Sequence, residues 1–196
     1  MATEQVRAAG EADLEQVTET LWLAFQGDPL WGWAFPEHSK LEPWWRFLIT
    51  SALRHRWVWF LGDYAAVSVW IPPDCDELTH AQERQVDGLL LGLLGSRATQ
   101  VIELLARFDA AHPRDRPHYY LSLLGTHPDR RGQGLGMGLL AENLARIDRQ
   151  RMPAYLESSN PDNVARYEAK GFEPTGEFST PDDRHTVCGM WREAAR

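Results

Sequence analysis

The stretch Leu121-Ser-Leu-Leu-Gly-Thr-His-Pro-Asp-Arg-Arg-Gly-Gln-Gly-Leu-Gly136 constrains this chain most. An apolar run of strand character enters a loop with glycines at 132, 134 and 136, and an amphipathic helical pattern over residues 137–149 follows at once. Glycines let a backbone approach a ligand closely. The start of the next helix presents unpaired N–H groups and the positive end of its dipole. Together these predict a pyrophosphate cradle, with Arg130 and Arg131 adding charge just before it. The loop lacks the lysine and Ser/Thr of a P-loop. Met137 and Leu139 stand where a dinucleotide fingerprint would need its last glycine.

The flanking sequence places that unit in a mixed α and β chain. Residues 6–8 read as a first strand. Leu14, Val17, Leu21, Ala24 and Phe25 recur at helical spacing up to Gly27-Asp28-Pro29. Residues 30–35 are aromatic and irregular, and residues 41–56 read as a second helix. Residues 57–61 and 64–71 flank Gly62-Asp63 as a hairpin. Residues 79–111 turn helical, with a break at Gly95-Ser96. After residue 118 come strand 118–125, helix 137–149, strand 154–158 and helix 163–170, which Gly171 is placed to end. Residues 172–178 and 185–191 then pair around Pro181-Asp182-Asp183. Such an order predicts an α/β or α+β fold around a mixed sheet.

Composition bounds the function. The chain has 196 residues, 43% of them hydrophobic, enough for the core of one domain over residues 1–196. Lysine and arginine total 20 against 28 aspartates and glutamates, a net charge of −8 that disfavours nucleic acid and anionic membranes as partners. No apolar run approaches the length needed to cross a bilayer, and residues 1–5 lack the basic start and apolar stretch of a signal peptide, which points to the cytoplasm. Cys75 and Cys188 make no disulfide framework and read as reduced, buried small hydrophobes. No Cys/His spacing resembles a zinc site, so no metal is expected.

Arg131-Gly-Gln-Gly134-Leu-Gly136 resembles the Arg/Gln-x-x-Gly-x-Gly/Ala acyl-CoA signature of the GCN5-related N-acetyltransferases. The likeness continues downstream: Tyr155-Leu-Glu-Ser-Ser-Asn160 resembles that family's fifth strand, and residues 163–172 its helix ending in Tyr-x-x-x-Gly-Phe. The resemblance implies a mixed central sheet flanked by helices, with a splayed parallel strand pair at residues 119–126 and 154–158. It implies acetyl-CoA as co-substrate and acetyl transfer to an amine. Residues 1–117 would form mainly the acceptor side and residues 118–196 the acetyl-CoA core.

The same resemblance assigns residues. Backbone amides of Arg131, Gly132, Gln133, Gly134, Leu135 and Gly136 would hold the pyrophosphate, with Arg130 and Thr126 beside them. The Leu124 amide would polarise the thioester carbonyl. Asn160 and Asn163 would bind the pantetheine, or else cap helices. Tyr167 would protonate the departing thiolate, its alternative being a packed aromatic. Glu157 leads as general base, because a charge within a short apolar strand asks for a partner or a role; the alternative is a structural carboxylate paired with an arginine or a tyrosine. His127 and His118 follow, and a dedicated base is not compulsory. Phe25, Trp31, Trp33, Trp44 and Trp45 would shape the acceptor pocket, with Asp28 and Glu37 near enough to hold an ammonium.

A narrower likeness, in residues 69–73, 156–158 and 186–190, is to the family's antibiotic-modifying branch, and implies an aminonucleoside such as puromycin as the acceptor. Protein lysine or N-terminal acetylation and a non-catalytic acyl-CoA sensor stand as alternatives. Either a monomer or a homodimer is compatible with the sequence.

Overall fold

A computed structural model describes residues 5–195. The signal-peptide reading rests largely on residues 1–4 and so lies outside the described residues. Seven strands form one sheet: β1 (Val6–Ala8), β2 (Val58–Leu61), β3 (Ala66–Ile71), β4 (Tyr119–Thr126), β5 (Ala154–Ser158), β6 (Glu173–Ser179) and β7 (Thr186–Arg192), in the order β1-β2-β3-β4-β5-β7-β6. Among the described residues only β4 and β5 run parallel. A parallel pair needs a crossover, and the helix that follows the glycine loop supplies it. The mixed sheet and the strand order after residue 118 are as the sequence predicts.

Eight helices cover the sheet: α1 (Leu14–Ala24), α2 (Pro29–Ala34), α3 (Leu41–Ala52), α4 (His80–Glu83), α5 (Val86–Leu94), α6 (Ala98–Ala111), α7 (Leu135–Arg149) and α8 (Val164–Glu168). Alternation along β3 separates two layers. Val67, Val69 and Ile71 join the larger core with α1, α2, α3, α5 and α6. Trp70 faces α7, where Leu140, Leu144 and Ile147 pack. Asn143, fully buried on α7, accepts hydrogen bonds from Ser68 Oγ (2.7 Å) and Trp70 Nε1 (3.0 Å), so a polar pair fixes the helix on the strand.

Strand β4 is squeezed from both sides. A Cβ on Gly125 would lie 2.7 Å from Ala24 Cβ on α1, and one on Gly136 would lie 2.6 Å from Thr126 Oγ1. The strand also carries a bulge: Val69 pairs with Leu123 while Trp70 pairs with Leu121, leaving Ser122 as the extra residue. The bulge reverses which face each later side chain takes. Leu121 packs in the α7 layer, Leu123 in the α1 layer.

Two expectations need correction. Residues 29–34 are a helix, with Phe35 just past its end, rather than irregular chain. Asp28 Oδ1 accepts from the N–H groups of Leu30 and Trp31 at 3.0 Å each, and Pro29 takes the first helical position, so the Asp-Pro pair was itself the start signal. The helical stretch Val86–Ala111 is 26 residues long and contains an 18-residue window with a mean hydropathy of 1.4, long and apolar enough to cross a bilayer. Gly95, at φ +57°, breaks it into α5 and α6, which pack on each other, and Leu90, Val101 and Leu104 are buried in the core.

Candidate active site

Pairing between β4 and β5 ends at Leu121–Leu156. Beyond it the two strands part, and the chain from Leu124 on leads into the glycine loop. Gly132 (φ +77°) and Gly134 (φ +73°) take the left-handed conformation, and the space where their side chains would stand is open. Residues 131–134 are exposed, and no side chain caps the start of α7. Open space, left-handed glycines and an uncapped helix start fit the pyrophosphate of acetyl-CoA. Arg131 is tethered, donating from Nη2 to the Ala24 carbonyl at 2.6 Å, and Arg130 closes the turn Pro128–Arg130. Thr126 packs under α7 against Gly136 and does not line the cleft.

The fork opens into a cleft of about 900 Å³. Phe25, Trp31, Trp44 and Trp45 form one wall. Trp31 meets Trp45 edge-on at 4.6 Å, and Phe25 meets Trp45 at 5.1 Å. Trp33 does not join them. Its Nε1 donates to Asp182 Oδ2 at 2.8 Å and the Arg97 guanidinium lies 4.8 Å over its ring, so it fastens α2 to the β6–β7 turn. Glu37 is exposed and lies off the cleft. Asp28 lines it but is engaged: besides capping α2, its Oδ2 accepts from Ser159 Oγ at 2.9 Å, and burial raises its carboxyl above the usual range.

Tyr167, Leu124 and Asn163 all line the cleft. Gly171, at φ +87°, ends the α8 turn as expected, with the Phe172 N–H returning to the Tyr167 carbonyl. Burial, then the Asp28 charge, pushes the Tyr167 hydroxyl up to about 12, so it holds its proton at neutral pH. Asn163 Oδ1 accepts from Arg166 at 3.0 Å. Asn160 is a cap: its Oδ1 accepts from the Asp162 N–H at 3.0 Å, and it does not reach the cleft. His127 likewise accepts from the Asp129 N–H through Nδ1 and serves its own turn. Cys188 is buried as expected, whereas Cys75 is exposed at the cleft edge; both are free thiols.

The cleft floor holds the most unusual group. The Glu157 side chain is only 2% exposed, yet neither carboxylate oxygen makes a hydrogen bond of good geometry. The Tyr120 and Tyr155 hydroxyls face Glu157 and are held protonated by burial and by the Glu157 charge. Glu77 lies on the same floor, its carboxylate accepting from the Ser122 hydroxyl at the bulge. Burial raises Glu77, and Glu157 adds to the rise. His112 completes the group, with Nδ1 3.7 Å from Glu157 Oε1. Glu77 and His112 escape the sequence reading. One follows an acidic loop after Pro72-Pro73, the other ends a helix before Pro113, and neither belongs to a motif. Among the described residues no group of histidine, cysteine and carboxylate could hold a metal ion.

No family model matches the chain. Solved structures do match it. A Corynebacterium glutamicum protein described as histone acetyltransferase HPA2 and related acetyltransferase is 24% identical, with a TM-score of 0.68 over 99% of this chain and 98% of its own. Arylalkylamine N-acetyltransferase 2 from Aedes aegypti is 15% identical, with a TM-score of 0.71 over 98% and 99%. The fold is an acetyltransferase fold. A Drosophila melanogaster polyamine N-acetyltransferase that forms N-acetylagmatine repeats it at 16% identity, with a TM-score of 0.67 over 97% and 99%.

Proposed function

We propose that this protein moves an acetyl group from acetyl-CoA to a primary amine of a small cationic molecule. The observation that carries this reading is Glu157, a buried carboxylate without a well-formed hydrogen bond or a lysine or arginine partner, on the floor of a cleft that opens at the β4–β5 fork. A buried charge so weakly compensated is costly, and an ammonium group arriving in the cleft would relieve the cost. Glu77 adds a second carboxyl there.

When bound, acetyl-CoA supplies the acetyl group as a thioester, whose carbonyl carbon the amine attacks. The loop 131–136 and the start of α7 hold its pyrophosphate. The Leu124 amide is the donor for the thioester oxygen. Tyr167 keeps its phenolic proton at neutral pH and gives it to the departing sulfur. The wall of Phe25, Trp31, Trp44 and Trp45 stacks on a flat or cationic acceptor and excludes water. An aminonucleoside such as puromycin, with flat rings beside a primary amine, is our narrower proposal for that acceptor.

CoA-thiol release from acetyl-CoA tests the reading against a panel holding puromycin, a diamine, an arylalkylamine and a lysine peptide. Release with any small amine is expected. Release with puromycin supports the narrower acceptor, and release with the peptide alone replaces the small molecule by a protein. Tight acetyl-CoA binding without release to any member overturns transfer in favour of a sensor.

A further inference from the structure

The histidine pair at the end of α6 can be read by counting donors and acceptors. His118 Nδ1 lies 2.8 Å from the Arg116 carbonyl oxygen, which only accepts, so Nδ1 carries a proton. Burial lowers the His118 imidazole below its usual range and keeps the ring neutral. Its Nε2 is then a lone pair. That nitrogen lies 3.1 Å from His112 Nε2, which must therefore be the donor. One nitrogen of His112 remains. In the neutral ring that nitrogen, Nδ1, bears the lone pair; it faces Glu157 Oε1 at 3.7 Å, and His112 lines the cleft.

On the acetyl-transfer reading above, we infer that His112 Nδ1 takes the proton of the incoming ammonium, with His118 as the residue that fixes its tautomer. The N–H bond of the ammonium breaks and a proton passes to the Nδ1 lone pair. The amine nitrogen is left with the electron pair that forms the C–N bond. As the C–S bond breaks, the sulfur takes a proton from Tyr167, and the phenolate recovers one from the new amide nitrogen. Exposure separates His112 from Glu157 in this role. The Glu157 side chain is 2% exposed, whereas that of His112 is 24% exposed and can return a proton to solvent. Glu157 instead faces the nitrogen that becomes charged.

Several titratable groups face the His112 ring, and a pH profile reads them together. They are Glu157 and Tyr155 on β5, Tyr120 on β4, His118 before that strand, and Glu77 after β3. Asp109 and Arg114, which pair with each other, line the same part of the cleft. A test that does not depend on turnover is therefore needed beside the kinetic one.

Nitrogen-15 NMR of the histidine rings should show His112 protonated on Nε2 and His118 on Nδ1 in the neutral state. His118→Phe should mix the His112 tautomers, and His118→Gln, whose side-chain carbonyl can accept from Nε2–H, should restore the single form. His112→Gln should lower kcat about 100-fold near neutral pH and leave acetyl-CoA affinity unchanged. The loss should shrink by about tenfold per pH unit toward the amine's own pKa, as free amine replaces ammonium. A His112 ring protonated on Nδ1, or a His112→Gln variant with the wild-type rate and pH profile, overturns the base while leaving acetyl transfer intact. A wild-type protein with the expected tautomers that acetylates no amine overturns the transfer reading, and the base falls with it.

Discussion

From Leu124 to Gly136 the chain lays down strand, turn, glycine loop and helix start without a break, and offers mainly backbone to a ligand. The cleft is assembled differently. Glu77, His112, Tyr120 and Glu157 reach its floor from four separate segments and offer side chains. The two halves should therefore fail in different ways. A backbone cradle is broken by atoms added where none fit. A side-chain cluster is broken by isosteric replacement that removes only charge or a proton.

The sharpest way to break the cradle is Gly136→Val. Its Cβ would stand 2.6 Å from Thr126 Oγ1, so α7 must lift from β4. Overpacking of this kind costs about 3 kcal/mol. Thermal melts should show the loss, and calorimetry should show acetyl-CoA affinity falling with it. The smaller Gly136→Ala should be partly rescued by Thr126→Gly, which empties the space. Unchanged affinity in the valine variant would mean that the α7 start does not hold the pyrophosphate.

At the boundary between the halves stands Tyr167. Tyr167→Phe should lower kcat about 100-fold with little change in acetyl-CoA affinity, measured by stopped-flow turnover beside equilibrium binding. Equal loss in both would make it a packing residue. Its hydroxyl has the environment of an acid that stays protonated, raised first by burial and then by Asp28.

The same contrast governs what the sequence could reveal. The glycine loop, β5 and α8 were legible as elements because glycines, a short apolar strand and a Tyr-to-Gly-Phe spacing are local signals, and each falls within two residues of its predicted place. Glu157 was legible too, as a charge inside an apolar strand. Glu77 and His112 were not, because nothing near them in sequence says which wall they will meet. Their placement depends on the bulge at Ser122 and on the bend at Gly95. Trp33 shows the opposite failure. It shares its aromatic neighbourhood with Trp31, yet two positions along a helix turn it by roughly 200°, away from the cleft and toward Asp182.

On the acceptor side, Glu77→Gln tests charge alone, since the amide oxygen can still accept from Ser122. It should raise the KM of a cationic amine about tenfold and spare kcat and acetyl-CoA affinity. The pH dependence has a definite sign. Burial raises the Glu77 carboxyl above its ordinary range. As pH falls, the wild-type protein should therefore lose affinity for the amine before ordinary glutamates protonate, and Glu77→Gln should remove that part of the dependence. Equal KM in both proteins across the range would place the ammonium elsewhere in the cleft.

The smallest expected effect lies at the far end of α7 and separates anchoring from chemistry. Arg192 donates to both oxygens of Asp148, at 2.7 and 2.8 Å, and its Nε donates to the Lys170 carbonyl, so one arginine ties α7, β7 and the end of α8 together. These hydrogen bonds hold the Asp148 carboxyl below its usual range. A depressed folded-state pKa contributes stability above the unfolded value and loses it as pH falls through the folded one. With solvent screening, Asp148→Asn should cost about 1 kcal/mol at neutral pH, and the gap from wild type should close below the ordinary aspartate range. Urea melts at several pH values measure it. Amine KM should not move, because neither residue borders the cleft. A shift in KM without a shift in stability would show that the end of α7 communicates with the acceptor floor, and the two halves would then have to be treated as one.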